Sequence, residues 1–155
     1  MPFNTLLLTS LHHGTSASES GITVNAEPQR GETILFFRTD NSIVRQNLNM
    51  TKVCDYLVFY ARKNEQKKVL CFVEMKGTRL EDATEQIIKS YQHINELLRS
   101  SSFQQLQYIL WKAYICTDGQ APKEIQKCSN QLKRAFGKNN YSIARASDLG
   151  PLLRR

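Results

Sequence analysis

No apolar run in this chain approaches the length needed to span a bilayer, and none is long enough for the core of a signal peptide. Leu6-Leu7-Leu8 has no basic region ahead of it. Cysteine is scarce and scattered. The four, at positions 54, 71, 116 and 128, show no close pair and no metal-ligand spacing. The three histidines, at 12, 13 and 93, make no zinc motif. The expectation is therefore a protein with no membrane contact, with reduced thiols, in the cytoplasm. Internal repeats and low-complexity tracts are missing as well, and nothing marks a second domain. Acidic residues are in deficit: 14 against 21 basic ones, a formal net charge of +7 and a pI near 9.4. That balance points to nucleic acid or another polyanion as partner. The imbalance is local, because residues 120–155 hold eight basic and two acidic groups, while residues 1–50 hold three and four.

What is present suits one domain over residues 1–155: 41% hydrophobic and 23% charged residues can build a core. The stretch with most information runs from Val53 to Gln86. Val53 to Tyr60 is an apolar run broken by Asp55, and Val69 to Met75 is a second one broken by Glu74. Both are short and rich in β-branched and aromatic residues, which predicts two strands of a hairpin. If Tyr60 pairs with Val69, then Phe59 faces Leu70, Leu57 faces Phe72, and Asp55 faces Glu74. Extension to Arg62–Lys67 leaves Lys63 to Gln66 as the loop. A slip of one residue would turn Asp55 away from Glu74. Alternation also puts Glu74 and Lys76 on one face, roughly 7 Å apart.

Two carboxylates side by side on a sheet repel each other and need compensation. A divalent metal supplies it, since Mg²⁺ takes one or two carboxylates and completes its shell with water and phosphate oxygens. Lys76 then stands where such a phosphate would lie. Asp55, the Glu74-Met75-Lys76 run and a glutamine on the next helix resemble the PD-(D/E)xK nuclease superfamily, the restriction-endonuclease-like fold. Cys54 stands where the motif has proline. The resemblance covers residues 53–114, less than half of the chain.

The resemblance implies an α/β restriction-endonuclease-like core and metal-dependent hydrolysis of phosphodiester bonds. Asp55 and Glu74 would hold Mg²⁺ (or Mn²⁺), with the main-chain carbonyl of Met75 as a third ligand. Lys76 would orient the attacking water and offset charge on the phosphate, and Gln86 would help to place the water. One large branch of the superfamily has tyrosine four residues after this glutamine; here Ser90 occupies that position and the tyrosine is Tyr91. Many members add an acidic residue on an earlier helix. Glu19, Glu27 and Glu32 are available, but none lies in an amphipathic helix pattern.

Elsewhere, Asn4 to His13 reads as a short helix, Ser16 to Gly21 as a flexible loop and Gly21 to Ala26 as a short strand, so residues 1–32 are poorly defined. Thr33 to Arg38 reads as a strand, with Ile43 to Leu48 returning antiparallel to it. Thr78-x-x-Glu81 is a capping box for a helix to about Arg99, whose stripe is Leu80, Ala83, Ile87, Tyr91, Ile94 and Leu98. Tyr108 to Cys116 is an interior strand parallel to the Glu74 strand, in which Lys112 either snorkels to an edge or faces the site. Pro122 opens a second helix that buries Ile125, Cys128, Leu132 and Phe136, and Tyr141 to Ala146 is a last strand. Residues 148–155 read as a tail. Hairpin, helix, strand, helix predicts a central mixed sheet flanked by helices. Lys123, Lys127, Arg134 and Lys138 are candidates for phosphate contacts. The expected function is a Mg²⁺-dependent nuclease acting on DNA in preference to RNA. A nuclease-fold nucleic-acid-binding module without catalysis, or an adaptor subunit, is the alternative, and a homodimer or a partner subunit stays open.

Overall fold

The structure, a computed structural model, describes residues 3–76, 79–100, 106–117 and 122–155, apart from the side chains of residues 3, 4, 76 and 122. In chain order the elements are α1 (Phe3–Thr9), β1 (Leu11–His12), β2 (Ser16–Glu19), β3 (Ile22–Asn25), β4 (Glu32–Arg38) and α2 (Ser42–Leu48). They continue with β5 (Tyr56–Arg62), β6 (Lys68–Lys76), α3 (Leu80–Ser100), β7 (Ile109–Thr117), α4 (Pro122–Phe136), β8 (Tyr141–Ala144) and α5 (Gly150–Arg154). Six strands form one mixed sheet in the order β1-β4-β5-β6-β7-β8, and β2 and β3 form a separate hairpin. Neighbours from β1 to β6 are antiparallel, whereas β6, β7 and β8 run parallel. The parallel pairs follow from the crossover helices α3 and α4, which return the chain to the same end of the sheet.

Period-two alternation sorts the strands between two cores. Leu57, Leu70, Phe72, Ala113 and Ile115 pack on Ala83, Ile87 and Ile94 of α3 and on Leu132 and Phe136 of α4. Tyr91 fills the space between the helices, its ring 4.8 Å from Phe136 and 5.3 Å from Trp111. The opposite face, with Val58, Val69, Cys71, Val73 and Tyr114, is covered by Ala17, Ile22 and Val24 of the β2–β3 hairpin and by Leu152 and Leu153 of α5. Burial on both faces explains why β5 and β6 are nearly continuous apolar runs.

The hairpin register is the expected one: Tyr60 pairs with Val69, Phe59 with Leu70 and Leu57 with Phe72. The ladder stops one pair earlier, at Ala61–Lys68, while on the other edge Arg62 still pairs with Glu32 on β4 and the Lys63 N–H donates to the Gly31 carbonyl at 2.7 Å.

Several local expectations are corrected. Ile43 to Leu48 is helical, since Asn41 caps α2 by accepting the Val44 N–H at 2.9 Å. The first helix ends at Thr9, and Leu11–His12 pair with Phe37 and Phe36. Ser16 to Glu19 is a strand, and with it the N-terminal segment becomes a layer over the sheet. Thr78 of the expected capping box lies outside the described residues. The Arg79 carbonyl accepts the first helical N–H groups, from Asp82 and Ala83, so α3 starts one residue later than the box would place it.

The C-terminal residues are not a tail. Leu149, Leu152 and Leu153 are buried, and Lys112, fully buried, donates from Nζ to the carbonyls of Leu152 (2.6 Å) and Arg155 (2.5 Å). This ammonium satisfies the open carbonyls at the end of α5, so it neither snorkels to an edge nor faces the carboxylates. Burial holds its pKa below the ordinary lysine value. Arg154 of α5 also grips Glu32 with two nitrogens, at 2.9 and 3.0 Å.

Candidate active site

The parallel strands β6 and β7 end where α3 and α4 begin, and Asp55 reaches this end of the sheet from the start of β5. The segment before Asp55 is fastened from two sides. Thr39 Oγ1 donates to the Cys54 carbonyl at 2.6 Å, and the Thr39 and Asp40 N–H groups donate to the Asp55 carbonyl at 3.1 and 3.4 Å. From α3, the buried Ser90 hydroxyl accepts the Cys54 N–H at 3.0 Å and donates to the Gln86 carbonyl at 2.7 Å. Ser90 thus ties α3 to the residue before Asp55.

Asp55 and Glu74 come together. They continue the β5–β6 register by one position beyond Tyr56–Val73, and side chain replaces backbone in the bonds between them. Asp55 Oδ2 accepts the Met75 N–H at 2.8 Å, and Glu74 Oε2 accepts the Asp55 N–H at 3.2 Å. Met75 directs its carbonyl to the same edge of β6 as its N–H, which is the Asp55 side. Glu74 is only 1% exposed. Burial raises the pKa of Asp55, and the charges of Glu19 and Asp40 add to the rise; the Met75 N–H and a hydrogen bond shared with the Glu74 carboxyl oppose it. Cys54 is a spectator: burial first, and then the Glu74 charge, drive its pKa far above the ordinary thiol value, so no thiolate forms.

The other expected residues stand apart from this pair or fall outside the description. Lys76 is the last residue of β6, and its side chain lies outside the described residues. Gln86 is half-buried and lines a cavity of about 490 Å³ with Asn49 to Lys52 and with Asp82, Glu85, Lys89 and His93. Neither Asp55 nor Glu74 lines that cavity. Gln86 is connected to Asp55 through its backbone carbonyl, by way of Ser90 and Cys54. Lys123, Lys127, Arg134 and Lys138 are all exposed. Lys127 is paired with Glu81 in the first turn of α3 at 2.9 Å, whereas Arg134 lies roughly 16 Å along α4 from Lys123, away from that end of the sheet.

Scans of family models, of curated proteins and of solved structures return no match to this chain. Among the described residues, no group of three or more His, Cys, Asp or Glu side chains is placed to hold a metal. No helix among them is long and apolar enough to cross a membrane.

Of the three acidic residues available as a further site acid, Glu19 is the one whose charge reaches Asp55, and Asp40 is a second acidic neighbour that the sequence did not single out. Glu19 on β2 pairs with Arg38 at 3.3 Å, and Asp40 pairs with Arg45 at 2.5 Å, yet both charges act on Asp55. Asp40 looked like a turn residue and no local pattern distinguished it. Glu32 is excluded as a helper, because its carboxylate is occupied by Arg154 and Tyr60. The two carboxylates, and the Met75 carbonyl on the same edge of β6, are hard oxygens. They suit a hydrated Mg²⁺ or Mn²⁺ and are wrong for a closed zinc site.

Proposed function

We propose that this protein is a metal-dependent nuclease with a restriction-endonuclease-like fold, hydrolysing phosphodiester bonds in DNA in preference to RNA. The observation that carries the reading is the convergence of Asp55 and Glu74, two largely buried carboxylates bonded to each other's strands at the end of a mixed sheet. Three antiparallel strands, β4-β5-β6, followed by a crossover helix and a parallel strand support the same reading.

Asp55 and Glu74 would hold Mg²⁺ or Mn²⁺, with the Met75 carbonyl beside them. A divalent ion bound there polarises the phosphodiester and brings the pKa of an attacking water toward neutrality. Burial raises the Asp55 carboxyl, and a metal would bind its ionised form, so metal affinity should rise with pH. The clamps from Thr39 and Ser90 hold the Asp55 backbone in place, so little reorganisation is left for the reaction. Lys76 would act as a compact positive charge against the phosphate. Lys123 at the start of α4 would hold the strand by its backbone without reading bases.

The deciding experiment incubates purified protein with single-stranded DNA, duplex DNA and RNA, in Mg²⁺, in Mn²⁺ or in chelator. Cleavage should require metal and vanish in Glu74→Gln. Lys76→Ala should lose cleavage while retaining metal. Polynucleotide binding in chelator with no cleavage under any condition would select the non-catalytic binding module instead.

A further inference from the structure

Between α2 and α3 the surface carries a groove that the proposed reaction does not use. Two cavities, of about 490 and 460 Å³, run together there and share Asn49, Met50 and Thr51. α3 forms one wall through Gln86, and the floor is the segment that leads through Lys52 to Asp55. Ser90 ties this floor to this wall, bonded at once to Cys54 and to Gln86. The groove floor and the residue before Asp55 are therefore held to α3 by one side chain.

The chemistry of the groove is specific. Its carboxylates are already paired, Glu85 with Lys89 at 2.6 Å and Asp82 with Arg79 at 3.4 Å. Among the described residues, Lys52 has no salt bridge, and the side chains of Asn49, Thr51 and Gln86 make no hydrogen bond. What remains without an ion pair or hydrogen bond is an ammonium, whose charge also acts on Glu85, a hydroxyl and two amides above the thioether of Met50, which packs on the core beneath. An ammonium attracts a phosphate. Amides that both donate and accept match the edges of a nucleobase. A polarizable thioether suits the flat face of a ring.

Lys52 precedes Asp55 by three residues, at most about 10 Å of extended chain. A phosphate at Lys52 and a phosphate at the carboxylates can thus belong to one strand, on the order of one or two nucleotides apart. A duplex keeps its bases stacked inside and would offer the rim only its backbone.

We propose that this groove holds the unpaired nucleotides adjoining the phosphate to be cut, which makes single-stranded polynucleotide the substrate. The proposal rests on the nuclease reading and adds the class of substrate. The test is fluorescence anisotropy in chelator with a labelled single-stranded oligodeoxynucleotide, its duplex and an RNA of the same sequence, followed by cleavage assays in Mg²⁺. Wild-type protein should favour the single strand over the duplex. Thr51→Glu and Lys52→Glu, both at exposed positions, should each weaken single-strand binding by about tenfold, with melting temperatures unchanged. Lys123→Glu on α4 should cost less. Preference for duplex, or groove variants that bind and cut single strands like the wild type, would overturn the proposal and leave the nuclease reading standing. Absence of binding and cleavage with every polynucleotide would defeat both.

Discussion

Replacing Asp55 separates its two roles, as a metal ligand and as the acceptor that closes the β5–β6 end. Asp55→Ala removes the acceptor of the Met75 N–H, a bond of 2.8 Å to a residue only 2% exposed. A buried N–H left without a partner costs about 1–3 kcal/mol. Relief of a desolvated charge beside Glu74 offsets part of that. The net expectation is a loss of about 1–2 kcal/mol, or about 2–4 °C in melting temperature per kcal/mol for a domain of this size. Asp55→Asn behaves differently. Its carbonyl oxygen still accepts from Met75, and its amide can donate to the Glu74 carboxylate. No charge is buried, so the metal-free protein should be more stable than the wild type at neutral pH. The pH dependence fixes the sign. Asp55 is raised in the folded state, so its ionised form opposes folding, and its contribution falls as pH rises through the folded pKa. That acid-side dependence should disappear in Asp55→Asn. Both variants should lose metal-induced stabilisation and cleavage. The assay is thermal melting of three proteins between pH 4 and 8, with and without Mg²⁺ or Mn²⁺, beside nuclease activity. An Asp55→Ala protein as stable as the wild type would refute the Met75 bond. Cleavage by Asp55→Asn would refute the metal site.

Glu32, held by Arg154 and Tyr60, has its carboxyl lowered from 4.5 to about 2. A depressed carboxyl stabilises the fold above its unfolded pKa, so that contribution should be lost as pH falls from about 4.5 to about 2; denaturant titrations of Glu32→Gln should show a flatter acid limb. Ser90→Ala leaves the buried Cys54 N–H without its acceptor and should cost about 1–3 kcal/mol, read by melting and by faster hydrogen exchange at Cys54. Neutralising Lys123, Lys127, Arg134 and Lys138 together should flatten the salt dependence of nucleic-acid binding through lost counterion release. An unchanged slope would mark these side chains as solvated only.

The sequence by itself determined the hairpin, its register and the meeting of Asp55 with Glu74. These depend on period-two alternation over two adjacent strands, where a slip would turn every buried side chain outward. The faces of α3 and α4 followed from helical spacing for the same local reason, and so did the parallel strand between them. Tertiary structure alone decided the rest. Asn41 converted the Ile43–Leu48 run from strand to helix through a capping bond, which a weak apolar pattern does not reveal. The last residues became core because Leu149, Leu152 and Leu153 pack on the sheet face opposite α3, where Lys112, forty positions from Leu152, bonds the end of α5. Glu19 and Asp40 reach Asp55 only because β2 and the β4–α2 turn fold back beside it, and Gln86 lines the groove because α3 packs beside the Asn49–Lys52 segment. Contacts between distant segments are set by how layers pack, and no local periodicity records them.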